Sequence, residues 1–175
     1  MRFRVLGMLC VGLVVGSTAP GLWAQDHTTY AASATSKFVN FPGLPTCMKG
    51  SVQNGDPSKS NSVILGKAMA GCKIPWHWHT PTEQLMMVAG SAKVEMKDGS
   101  PITLHPGDYA SLSTKHVHQF TCLAACTLFI ASDVAFDIHY VDSSGSEIPV
   151  DQALKATAPA RKAPAKGAKT ETETK

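Results

Sequence analysis

The sequence predicts an all-β protein, a sandwich or barrel built from many short strands. Three observations carry that reading. Runs of strand-forming residues recur at close, regular spacing. Gly, Pro, Asn and Asp clusters separate them. No helical period of useful length appears before Val150.

The runs are 47–53, 62–69, 74–79, 83–89, 92–96, 102–104, 109–113, 118–122, 126–131 and 136–141. Each is bounded by a turn signal. The clearest are Asn54-Gly55-Asp56-Pro57 and Asp98-Gly99, followed by Ala70-Gly71 and Pro106-Gly107-Asp108. In 92–96 and 102–104 apolar residues fall at every second position, so one face turns to a core and the other to water. The run 83–89 is more continuously apolar, as expected where both faces are covered. A short turn of helix is expected at 150–155, and no internal repeat is visible.

The two ends of the 175-residue chain differ from its middle. Arg2 and Arg4 precede an apolar run from Val5 to Val15, and a small-residue stretch ends at Ala24. This is the pattern of a secretory leader cleaved after Ala24, with an uncleaved N-terminal anchor as the alternative. Residues 25–40 read as a polar lead-in, 41–150 as one β-domain of ordinary size, and 151–175 as a disordered Ala/Lys/Pro-rich tail. The net charge of +3 comes from the ends. Between Gln25 and Asp151 eight basic residues face eleven acidic ones, a net of −3. Nothing there points to nucleic acid, and no stable membrane anchor is expected in the mature chain. An exported, periplasmic or secreted bacterial protein is the expectation.

Four cysteines follow the leader: Cys47, Cys72, Cys122 and Cys126. An even set in an exported chain favours disulfides. Cys122 and Cys126 look like two strand ends around a tight turn, which leaves Cys47 for Cys72. Four free thiols are the alternative. No C-x2-C spacing points to a cysteine metal site.

The chemistry lies in His77, His79, Glu83 and His118. On a strand, His77 and His79 share a face. Thr80-Pro81-Thr82 is a turn signal that brings Glu83 back toward the same point. Imidazoles plus a carboxylate, with positions left open, suit a redox-active transition metal. The spacing G-x5-H-x-H-x3-E-x6-G, met by Gly71, His77, His79, Glu83 and Gly90, resembles the first motif of the cupin superfamily. The second motif, G-x5-P-x-G-x2-H-x3-N, is similar to the stretch from Gly107 to Cys122. Its glycine and histidine fall on Gly107 and His118. Ser113 replaces its proline, Lys115 its second glycine and Cys122 its asparagine.

The resemblance spans residues 40–142. It implies a single cupin domain, a double-stranded β-helix or jelly-roll barrel. It also implies a metal held by His77, His79, Glu83 and His118: iron first, with manganese, nickel, copper or zinc as alternatives.

His116, two residues before His118, is expected to share its face and to serve as a catalytic acid/base or substrate contact. A swap of the ligand role from His118 to His116 stays open. Trp76 and Trp78 have the opposite parity and are expected to pack on the other face of the strand, in the core first, or to cover the rim. Met86, Met87 and Met96 read as core or pocket lining, and His105 and His139 as solvent-facing. The functional expectation is an exported metalloenzyme of dioxygenase type acting on a small organic molecule, with isomerase or lyase chemistry as other outcomes of the same site. The alternative is a non-catalytic metal- or ligand-binding sensor. A homodimer is the expected assembly.

Overall fold

Alternation in the short runs gives each strand one wet and one dry face, and two such sheets bury their dry faces against each other. A computed structural model describes residues 28–155. The expected leader (1–24), the first lead-in residues and the tail beyond 155 lie outside the described residues. The strands are β1 (Met48–Gly55), β2 (Ser62–Ala68), β3 (Lys73–Trp78), β4 (Glu83–Ala89), β5 (Ala92–Met96), β6 (Ile102–Leu104), β7 (Tyr109–Leu112), β8 (His118–Cys122), β9 (Cys126–Ser132) and β10 (His139–Tyr140). A helix, α1 (Val150–Lys155), follows.

One sheet has the order β1-β2-β9-β4-β7 and the other β10-β3-β8-β5-β6. All the strand pairs are antiparallel. Consecutive strands repeatedly change sheet, as β3 to β4 and β8 to β9 do, which is the jelly-roll arrangement. The core between the sheets holds Ile64, Leu85, Met87, Leu128 and Ile130 from one side and Ile74, Val94, Leu104 and Phe120 from the other. Burying a side chain of this size stabilises by roughly 1.5–3 kcal/mol.

β3 is irregular where it matters most. Its register with β8 shifts between Ile74 and His77. Both of these residues are buried, although three positions apart they would face opposite ways in a regular strand. Pro75 sits in the shift, as a residue without an N–H does best at a bulge.

Both cysteine pairs are bonded, Cys47–Cys72 with Cα atoms 5.6 Å apart and Cys122–Cys126 with Cα atoms 6.0 Å apart. The turn at 123–125 is not a hairpin within one sheet. It carries the chain from β8 in one sheet to β9 in the other, so the second disulfide joins the two sheets.

Two segments differ from expectation. The run 136–141 forms a strand only at His139–Tyr140. Residues 133–138 instead form a strap held by its own polar groups. Asp133 Oδ1 accepts from Thr82 N at 3.1 Å, Asp137 Oδ1 from Thr80 N at 2.7 Å, and Phe136 N donates to Pro57 O at 2.8 Å. At the other end, the turn of helix expected at 150–155 forms as α1 with Ala153 buried, so the first five residues assigned to the tail are folded.

Candidate metal centre

The first motif places its residues through a strand, a turn and a second strand in the opposite sheet. His77 lies near the end of β3, His79 just past it, and Glu83 opens β4. His118 opens β8, directly opposite His77 in the β3–β8 ladder. The structure brings all four side chains together between the sheets, each less than a tenth exposed. The imidazole centroids of His77 and His118 are 4.2 Å apart, and those of His77 and His79 are 4.8 Å apart. One donor atom from each of the three histidines lies within 4.8 Å of the others. Neighbouring donors about 2.1 Å from a shared ion sit about 3.0–3.4 Å apart, so an ion would draw these rings inward.

The three rings are aimed by main-chain carbonyls. His77 Nδ1 donates to Pro75 O at 2.6 Å, the carbonyl of the β3 bulge. His118 Nδ1 donates to His116 O at 2.9 Å. His79 Nδ1 donates to Asp137 O on the strap. With Nδ1 carrying the proton, each Nε2 presents a lone pair, the form a metal requires. Glu83 Oε2 lies 3.3 Å from His118 Nε2 and 3.7 Å from His79 Nε2. His79 Nε2 is fully buried and has no hydrogen-bond partner. A buried lone pair without a partner is costly in a finished structure and natural in a ligand. The residues present therefore fit a divalent transition metal.

The electrostatics agree. Burial pushes the His77 imidazole well below its ordinary pKa, and the neighbouring His118 and His79 push it further. Burial also lowers His79, against the pull of Glu83. For Glu83 burial acts upward, but His79 and His118 more than reverse it, so the carboxyl stays below its usual range. At neutral pH His77 and His79 are therefore neutral beside an ionised Glu83 carboxylate, an arrangement suited to a cation.

Other expectations resolve differently. His116 does not alternate with His118 on a strand. β8 starts at His118, and Lys115 turns the chain with a left-handed φ of 59° just before it. The histidine cluster contains His77, His79 and His118, with the half-buried His116 ring outside it. Lys115 occupies the motif's glycine position and keeps the glycine-like conformation, with its N–H donating to His79 O at 2.8 Å. The replaced glycine leaves the turn intact.

Trp76 and Trp78 are not core residues. Both are half-buried, and the Trp78 indole stacks on the imidazole of His139 at 3.9 Å with an interplanar angle of 4°. His139 is thus half-covered rather than solvent-facing, and its ring nitrogens lie 3.2 Å from Asp137 Oδ2 and 3.4 Å from Glu147 Oε2. Met87 is in the core, Met96 packs against it, and Met86 is half-buried on the other face of β4. His105 is exposed, as expected.

Sequence reasoning missed the strap's part in the site. The Asp137 carbonyl orients His79, and the Phe136 ring lies 4.6 Å from the His79 ring. Asp137 is 58 residues from His79, and no periodicity links them.

No protein with a curated description matches this sequence. The Cupin domain family model matches residues 67–130. Among solved structures, the polyketide cyclase RemF from Streptomyces resistomycificus is similar at 15% identity and a TM-score of 0.57, over 73% of this chain and 99% of that one. An RmlC-like cupin from Shewanella frigidimarina aligns at 15% identity and a TM-score of 0.52, over 61% and 91%. KdgF from Halomonas sp. aligns at 18% and 0.50, over 59% and 92%. Identities this low speak for the fold alone. Together the matched domain, the two-sheet barrel and both motifs identify residues 67–130 as part of a cupin domain of the cupin-2 type.

Proposed function

We propose that this chain is an exported cupin that holds one divalent transition metal through His77, His79, His118 and Glu83. It would work as a mononuclear metalloenzyme of dioxygenase type on a small organic molecule. The observation that carries the metal reading is the set of three Nδ1–carbonyl hydrogen bonds. They turn each Nε2 away from the main chain and into the cluster, where the Glu83 carboxylate lies 3.3 Å from His118 Nε2 and 3.7 Å from His79 Nε2. Iron is the first choice for three imidazoles and a carboxylate, with manganese, nickel, copper and zinc also compatible with the donors. Bound there, the ion supplies Lewis acidity and, for iron, manganese or copper, a redox couple. The protein's own share is to fix the donors, keep His77 and His79 unprotonated and exclude bulk water with the 133–138 strap.

The acid–base role of His116 belongs to the same proposal. It is supported by the position of this half-buried imidazole two residues from His118. Export is supported by the leader pattern of residues 1–24 and by two bonded cysteine pairs, which persist in oxidising compartments. Among the described residues no helix is long and apolar enough to cross a membrane. A homodimer through a sheet edge completes the reading, since β7 and β6 each end a sheet.

One observation favours a second reading, a non-catalytic binding or sensor domain. The space beside the donors is very small, and the strap lies against His79. The fold does not choose between the two readings. The test is to purify the protein without chelator, identify the metal by mass spectrometry, and follow oxygen uptake with enols, catechols and thiols. Stoichiometric iron with substrate-dependent uptake supports the enzyme. Metal with no turnover supports the binding domain, and no metal at any stoichiometry rejects the metal centre and leaves only a metal-free ligand-binding domain.

A further inference from the structure

Behind the donor cluster lies a chamber between the sheets. Its polar edge is His77, His118 and Glu83, while His79 faces the strap instead. Its remaining walls are Met48, Ile74, Leu85, Phe120, Leu128 and Ile130. None of these six side chains carries a strong hydrogen-bond donor or acceptor. The chamber's volume is about 20 Å³. That is little more than the ~10–15 Å³ which one water needs by the same measure.

Size and polarity together restrict the occupant. An organic molecule of several heavy atoms does not fit. Water fits by size, but away from the polar edge it finds no partners, and a buried water ordinarily makes about three hydrogen bonds. Cavities lined only by such apolar side chains stay dry and take up apolar molecules, and six of the nine lining residues here are of that kind. A diatomic gas is scarcely wider than water, has no hydrogen bonds to lose, and meets well-packed methyl and phenyl groups here.

We propose that this apolar chamber is a binding pocket for an uncharged diatomic gas, dioxygen foremost, opening on the imidazoles of His77 and His118 and the carboxylate of Glu83. The use of such a pocket rests on the metalloenzyme reading above, but its existence does not. The chamber also assigns sides to the site. The gas would lie on the His77–His118–Glu83 side, and any organic reactant would have to approach from the strap side, past Phe136 and Asp137.

The test uses the paramagnetism of dioxygen. Methyl proton relaxation is measured by NMR on the full chain, zinc-loaded and metal-free, under nitrogen and under pressurised oxygen. Metal content is assayed first, so a chain that takes up no zinc counts against the metal reading alone. In both forms the methyls of Leu85, Leu128 and Ile130 should relax several-fold faster under oxygen than those of Val94 and Leu104, which are equally buried but do not line the chamber. Leu128→Phe, which fills the chamber, should bring the Leu85 and Ile130 methyls down to that background. Wild-type chamber methyls that respond no more than Val94 and Leu104 overturn the proposal, whatever becomes of the variant. A chamber response that Leu128→Phe leaves unchanged in a folded protein overturns it as well.

Discussion

His118 Nε2 and Glu83 Oε2 lie 3.3 Å apart, although one residue opens β8 and the other opens β4 in the opposite sheet. The pair spans the gap between the sheets, and the Cys122–Cys126 disulfide spans it again at the far end of β8. The donor cluster is therefore a property of the closed sandwich, not of either sheet.

Loss of His118 should be felt first in metal content. His118→Ala removes one of four donors and leaves Glu83 without its nearest imidazole. Metal affinity should fall about ten-fold or more, read by competition with a chromogenic chelator. Full retention of metal would show that the donor set is wrong.

His116→Ala should behave differently. It is the main-chain carbonyl of residue 116 that accepts from His118 Nδ1, and alanine keeps it. Metal content should stay within about two-fold of wild type, well short of the ~10-fold loss typical of an orienting partner. If turnover is found, kcat should fall while metal stays bound. Loss of metal in this variant would move the ligand role to His116.

Acid should destabilise the metal-free protein earlier than its carboxylates alone predict. Burial first, and the neighbouring imidazoles second, hold His77 well below its ordinary value of 6.5; burial lowers His79 too. In the unfolded chain both titrate normally, so below about pH 6.5 the unfolded state binds more protons. Stability is then complete above that pH and is lost progressively as pH falls toward the lowered native values. Glu83, also lowered, acts in the same direction further down the scale. Thermal melts of chelator-treated protein between pH 8 and 5 should show a falling midpoint, and bound metal should delay the fall. A midpoint flat down to pH 5 would contradict the burial of these rings.

Two glycines of the first motif should differ in their tolerance of alanine. Gly90 has φ +79°, and a Cβ there would stand 2.1 Å from the Ala125 carbonyl oxygen. Gly71 has a similar φ of +76° but open space around it. Gly71→Ala should cost about 1–2 kcal/mol for the left-handed backbone alone. Gly90→Ala has to displace backbone as well and should cost clearly more. Urea denaturation of the two variants measures the difference, and equal losses would refute the crowding argument.

The disulfides should contribute unequally. Cys47–Cys72 closes a loop of 25 residues and Cys122–Cys126 one of 4. Loop-closure entropy puts them at about 3.5 and 2 kcal/mol. Single Cys→Ser pairs, melted under identical conditions, read the two values. A thiol assay on unreduced, denatured protein should find neither pair free.

Most of the architecture was legible because strand alternation and turn residues are local signals. Four of the ten expected runs, 83–89, 92–96, 102–104 and 118–122, match their strands to the residue. The clustering of His77, His79 and Glu83 was legible because motif spacing encodes a strand, a turn and a strand. Three features were not legible, each for a physical reason. The Pro75 bulge in β3 breaks parity between Ile74 and His77, so alternation alone could not show that both face the core, although it did put Trp76 and Trp78 on the face opposite His77 and His79. The 133–138 strap is held by side-chain caps on distant backbone rather than by a ladder, so its apolar residues imitated a strand. Lys115 adopts the conformation of the glycine it replaces, which composition alone cannot reveal.

The split of the donors between two sheets sets an order of events. A polypeptide synthesised only as far as Gly99 would own three of the four groups but none of β7, β8 or β9, and so would lack both the last imidazole and the walls that keep water out. An ion meeting it would find a floppy, hydrated half-site. On the proposed reading, capture would belong to the final stage of maturation and would rivet the finished sandwich shut.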